Sequence, residues 1–87
     1  MTNKYNIFES GSGKWIRIPD DVGDLIFTSD RFQATTFNIV TIIQANEAFW
    51  EFPIYEKTLR VVLIGSNVSP DEWLTVREFI KENKKFV

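Results

Sequence analysis

The chain contains no cysteine and no histidine. Without cysteine there are no disulfides, and structural zinc, haem and iron–sulfur clusters lose their usual ligands. Nucleophilic catalysis loses its commonest nucleophile and its commonest base together. An enzyme here would have to rely on Ser or Tyr with Lys, or on paired carboxylates. No such groups stand at a recognisable spacing, so no catalytic residue, cofactor or metal is expected. Long apolar runs are missing as well. Met1 to Asn6 is polar and leads into none, so neither a secretory signal nor a membrane span is expected, and the cytoplasm is the expected compartment. Nor is there a strong charge of one sign. The net charge of −2 gives no general attraction to phosphate backbones or anionic lipid.

What the chain does have is apolar and aromatic material. Apolar residues make up 44% of its 87 residues and aromatics 15%, with eight Phe and three Trp. Charged residues at 25% are ordinary for a folded protein. A domain of this length buries only about 60–65% of the surface its unfolded chain exposes. With disulfides and thiolate metal sites excluded, stability must come from a good core or from self-association. No linker, repeat or low-complexity tract divides the chain, and residues 1–87 read as a single domain.

The end of the chain carries the best helix signal. Ser69-Pro70-Asp71-Glu72 offers an N-cap serine, a proline at the first helical position and a glutamate three residues after the cap. Trp73, Val76 and Ile80 share one helical face with Leu74 and Phe79 beside it, so the pattern predicts a helix from about Pro70 to Asn83. Lys81, Lys84 and Lys85 suit the negative end of its dipole. Everything upstream reads as strand. Thr36 to Gln44 is dense in Thr, Ile and Val. Ala45-Asn46-Glu47 turns into Ala48–Phe52, Pro53 to Lys57 breaks the run, and Thr58–Ile64 ends at Gly65-Ser66-Asn67. These three segments predict an antiparallel meander. Tyr5–Phe8, Lys14–Ile18 and Asp24–Thr28 are shorter strand candidates, separated by turns at Ser10–Gly13 and Pro19–Gly23. Ser29 to Thr35 reads as a loop or short helical turn.

The predicted meander is apolar on both faces: Phe37, Ile39 and Ile43 oppose Val40 and Ile42, and Val61 and Leu63 oppose Val62 and Ile64. One helix covers one side only. The other needs the N-terminal strands, a second copy or a foreign partner. The expected fold is α+β, an antiparallel sheet of about five or six strands, strongly bent or barrel-like, with one C-terminal amphipathic helix packed on it.

Four features invite a functional reading. Gly11-Ser12-Gly13-Lys14 suggests a phosphate loop, but it leads into a strand and lacks the Gly-Lys-Ser/Thr spacing, so a hairpin turn is expected. Asp20, Asp21 and Asp24, with Asp30, could supply oxygen ligands, yet Asp is favoured in turns for its local hydrogen bonds alone. Trp15 with Arg17, and Phe32 with Arg31, are the residues that could stack on and neutralise single-stranded nucleic acid. Phe49-Trp50-Glu51-Phe52-Pro53-Ile54-Tyr55 is the most aromatic segment, and Phe49, Trp50, Phe52 and Tyr55 are the expected partner-binding residues. Together these features lead to the expectation of a non-enzymatic protein-binding module. Its character is that of a small inhibitor or immunity-type protein, bacterial or phage from its Asn, Ile, Lys and Phe usage. The alternatives are a homo-oligomeric assembly protein, such as a homodimer, and a small nucleic-acid-binding barrel.

Overall fold

A computed structural model of the chain describes residues 3–18, 25–48 and 57–83. They form an α+β fold built on one antiparallel sheet. Its strands are β1 (Tyr5–Glu9), β2 (Lys14–Arg17), β3 (Ile26–Thr28), β4 (Leu59–Leu63) and β5 (Leu74–Thr75), in the order β3-β2-β1-β4-β5. Helices α1 (Ile39–Ala48) and α2 (Val76–Asn83) complete it, with short 3-10 turns at Arg31–Gln33 and Pro70–Glu72. The strand count agrees with the expected five or six. The expected closure toward a barrel is not seen: β3 and β5 stand at the two edges of an open sheet. Among the described residues no helix is long and apolar enough to cross a membrane.

The β1–β2 hairpin forms where the Ser10–Gly13 turn predicts it. Gly13 takes φ +71°, a conformation that favours glycine, and its N–H donates to Glu9 O at 2.9 Å. The Glu9 carboxylate organises the rest of the turn, accepting from Gly11 N–H at 2.9 Å and Ser12 N–H at 2.6 Å. A Cβ on residue 11 would lie 3.0 Å from Glu9 Oε2, so glycine there lets the carboxylate close in. The amides that a phosphate loop would offer to a ligand are thus occupied by the chain's own side chain.

The expected strand over Thr36–Gln44 is wrong. Only Phe37 pairs, exchanging two 2.8 Å backbone hydrogen bonds with Tyr5. Asn38 then caps α1: its Oδ1 accepts from Thr41 N–H at 2.8 Å, while Thr41 Oγ1 accepts from Asn38 N–H at 2.7 Å. β-Branched residues lose only a few tenths of a kcal/mol each in a helix. Burial of Ile42 and Ala45 against the sheet outweighs that loss. The meander falls with it, because β4 pairs with β1 over five residues from Tyr5↔Leu63 to Glu9↔Leu59. Ala48 ends α1, and the remainder of the expected Ala48–Phe52 strand lies outside the described residues.

The C-terminal helix exists but starts later than Pro70. Ser69 makes no side-chain cap bond and leads only into the 3-10 turn. Trp73 extends the chain, Leu74 and Thr75 pair with Val61 and Arg60, and α2 begins at Val76. A second capping box, Thr75-Val76-Arg77-Glu78, does the work expected of the first. Thr75 Oγ1 accepts from Glu78 N–H at 3.1 Å, and Glu78 Oε1 accepts from Thr75 N–H at 3.2 Å. Val76 and Phe79 are then buried, as the helical pattern predicts, but Trp73 is not on that face.

Both helices pack on the sheet side that carries Tyr5, Ile7, Ile16, Leu59 and Val61. Ile7, Ile16, Ile42, Leu59 and Val76 are fully buried there, and Tyr5 meets Phe79 edge-on at 5.0 Å between ring centroids. Near Tyr5 and Arg17 the β1 and β2 strands part. The 35–37 segment bridges them, with Thr35 N–H on Ile16 O and Phe37 on Tyr5. This wedge brings the Arg31–Gln33 turn beside the opposite face of the sheet.

Candidate functional site

Alternation along a strand sends Asn6 and Phe8 of β1 away from the helices. Register then decides their company. Phe8 lies directly across from Trp15 on β2 and from Arg60 on β4, while Arg60 faces Thr75 on β5. Trp73, just before β5, falls on the same side. Three rings therefore meet on the outer face. Centroid separations are 4.9 Å for Phe8–Trp15, 5.6 Å for Phe8–Trp73 and 6.3 Å for Trp15–Trp73. The two contacts of Phe8 are edge-to-face, at 61° and 71°, the arrangement that ring quadrupoles favour. All three rings are half-buried.

Arginines frame the cluster. The Arg31 guanidinium lies 4.6 Å from the Trp15 ring centroid, and its Nε donates to Asn6 Oδ1 at 2.9 Å. Asn6 is buried and completes the relay by donating from Nδ2 to Thr35 O at 3.1 Å. Arg17 donates to Gln33 Oε1 at 3.2 Å, and Arg60 donates to Lys57 O at 2.6 Å. These acceptors are all neutral, so the hydrogen bonds orient the guanidiniums without cancelling their charge. At the far end, Arg60 shares a hollow with Phe8, Trp73 and Asp71. The 3-10 turn that delivers Arg31 is capped by Asp30, whose Oδ1 accepts from Phe32 N–H at 2.9 Å. Phe32 itself is 99% exposed.

The carboxylates with displaced pKa values have structural duties. Burial pushes the Glu9 carboxyl upward, but hydrogen bonds from Gly11, Thr58 and Ser12 outweigh it and hold the group below its ordinary range. Glu78 is lowered by its Thr75 hydrogen bonds, with a smaller contribution from Arg60. On the helix side, Tyr5, Val61, Leu63, Val68, Leu74 and Phe79 line an apolar hollow of about 260 Å³.

Of the residues singled out from sequence, Phe49, Trp50, Phe52 and Tyr55 lie outside the described residues, as do Asp20, Asp21 and Asp24. Asp30 is a turn cap. Among the described residues, no group of three acidic side chains is placed to hold a metal ion. Of the residues named for ring–cation interleaving, Arg31 is brought onto Trp15 and Arg17 reaches Gln33 of the same turn, while Phe32 projects into solvent. Phe8, Arg60 and Trp73 were missed. Phe8 was within reach, because a hairpin turning at Ser10–Gly13 sets it opposite Trp15. Trp73 was not, because its helical spacing with Val76 and Ile80 conceals its place on the sheet. Comparison with known protein families, curated proteins and solved structures finds no match for the chain.

Proposed function

We propose that the chain is a non-enzymatic protein-binding module that acts by occupying another protein's surface with the outer face of its sheet. The observation that carries this reading is the Phe8–Trp15–Trp73 cluster framed by Arg31, Arg17 and Arg60 on the side away from both helices. Trp and Arg are the residues in which binding energy at protein interfaces concentrates. Inhibitors and immunity-type proteins work by such occupancy and need no catalytic groups. The test is site-resolved photo-crosslinking in the cells the chain comes from, with benzoylphenylalanine in place of Phe32 and, as a control, in place of exposed Lys81 on α2. A single protein adduct of defined mass from position 32, absent from position 81, is expected. Equal adducts from both positions, or none, would sink the reading.

A second reading rests on the Arg31–Trp15 contact, since rings and cations also bind single-stranded nucleic acid. It predicts nucleic acid in the adduct and binding that falls steeply with salt. An adduct of twice the chain's own mass would instead identify a second copy as the partner.

A further inference from the structure

Phe32 combines full exposure with a hydrogen-bonded mount. Its N–H is fixed by Asp30 Oδ1, the Gln33 and Ala34 N–H groups close on the Asp30 and Arg31 carbonyls at 3.0 Å, and Arg31 is pinned by Asn6 and Trp15. An exposed aromatic ring on a turn already closed by hydrogen bonds loses little backbone freedom when it enters a pocket, and this preorganisation favours tight association. Among the described residues, the same end of the sheet face carries the Arg17 and Arg31 guanidiniums. Arg17 and Arg31 donate to neutral side-chain oxygens, and a guanidinium carries further N–H donors beyond those bonds. The Asp30 carboxylate accepts from Phe32 N–H and keeps its charge, so these three groups together carry one net positive charge. At the opposite end, Arg60 shares its hollow with Asp71 and lies within electrostatic reach of Glu78. A chain of net charge −2 thus sets two arginines at the turn that carries one projecting ring.

We propose that this end of the face binds an acidic, partly apolar protein segment, with carboxylates on Arg17 and Arg31 and an apolar pocket or side chain around Phe32. This rests on the reading of the outer face as the contact surface and adds the chemistry of the partner. Charge complementarity selects carboxylates, which pair with guanidinium in two parallel hydrogen bonds. Protein is favoured over nucleic acid by the ring geometry. Trp15 carries Arg31 over its ring and Phe8 packs against it at 61°, which does not make a ladder of parallel ring faces for bases to stack on.

The experiment titrates the full chain with a random glutamate–tyrosine copolymer and, separately, with an oligothymidylate of matched charge. Binding is read from intrinsic tryptophan fluorescence. A saturable change with the copolymer is expected, weakened about tenfold by Arg17→Glu and by Phe32→Ala, each with an unchanged thermal midpoint. Tighter binding of the oligothymidylate, no saturable change with the copolymer, or an affinity indifferent to both substitutions would overturn the proposal. A specific crosslink from position 32 without copolymer binding would preserve the contact surface and dismiss only its acidic preference.

Discussion

Glu9 shows how one side chain can decide a turn. It lies on the buried side of β1 with only 6% of its surface exposed, and its two oxygens take the Gly11 and Ser12 amides. A group whose folded pKa is depressed contributes stability that is full above the unfolded value, here 4.5, and is lost as pH falls through the lower folded value. The wild-type thermal midpoint should therefore drop below pH 4.5. Glu9→Gln should lose about 1–3 kcal/mol at neutral pH, as for a buried hydrogen-bonding group deprived of its partners. It should also show a flatter acid limb in thermal denaturation. Parallel acid limbs for the two proteins would show that the carboxylate's charge does not hold the turn. The Gly–Ser composition predicted a turn. The carboxylate that fills it was hidden, because nothing in the run Glu9 to Gly13 says which way the acid points.

At the scale of elements, two errors of sequence reading involve helices. The first is α1. Val40 and Ile42 would share a face in a strand but stand on opposite sides of a helix. Val40 is 43% exposed and Ile42 is fully buried. Urea denaturation should find Ile42→Ala destabilised by about 2–5 kcal/mol and Val40→Ala within about 0.5 kcal/mol of wild type. Similar losses for the two would restore the strand. The spacing Ile39, Ile42, Ile43 and the Asn38–Thr41 cap were legible, but the density of β-branched residues spoke against them. The second is the start of α2. Two Ser/Thr-x-x-Glu boxes stand six residues apart, and local pattern cannot rank them. Pairing with β4 draws Leu74 and Thr75 into the sheet, which leaves the second box to start the helix. Thr75→Ala should cost about 1 kcal/mol by helix-cap loss, whereas Ser69→Ala should be nearly neutral. The reverse order in circular-dichroism melting would move the helix start back to Pro70.

For the whole molecule, the sheet presents two unlike faces. One face holds the core, and Leu59→Ala there should remove about 2–5 kcal/mol from a total stability of about 5–15 kcal/mol. The other face carries the half-buried rings and the Phe32 projection. Phe32→Ala should leave the thermal midpoint within about 0.5 kcal/mol of wild type. If that face is kept for a foreign protein, the purified chain should sediment as a monomer at micromolar concentration. A dimer dissolved by Phe32→Ala would assign the face to a second copy instead.

The sequence by itself determined the chemical inventory: neither cysteine nor histidine, an aromatic excess and a nearly balanced charge. It also determined elements whose signals are local, namely the hairpin of β1 and β2, the strands β3 and β4, and an amphipathic helix near the end. Turn glycines, alternation and helical spacing act between close neighbours and survive without a tertiary context. Only the tertiary structure decided that Ile39–Ala48 is helical, that Trp73 joins Phe8 and Trp15, and that Arg31 reaches Trp15. Those outcomes depend on partners 16 to 65 residues apart in the chain. Intrinsic preferences of a few tenths of a kcal/mol per residue yield to burial worth several times as much.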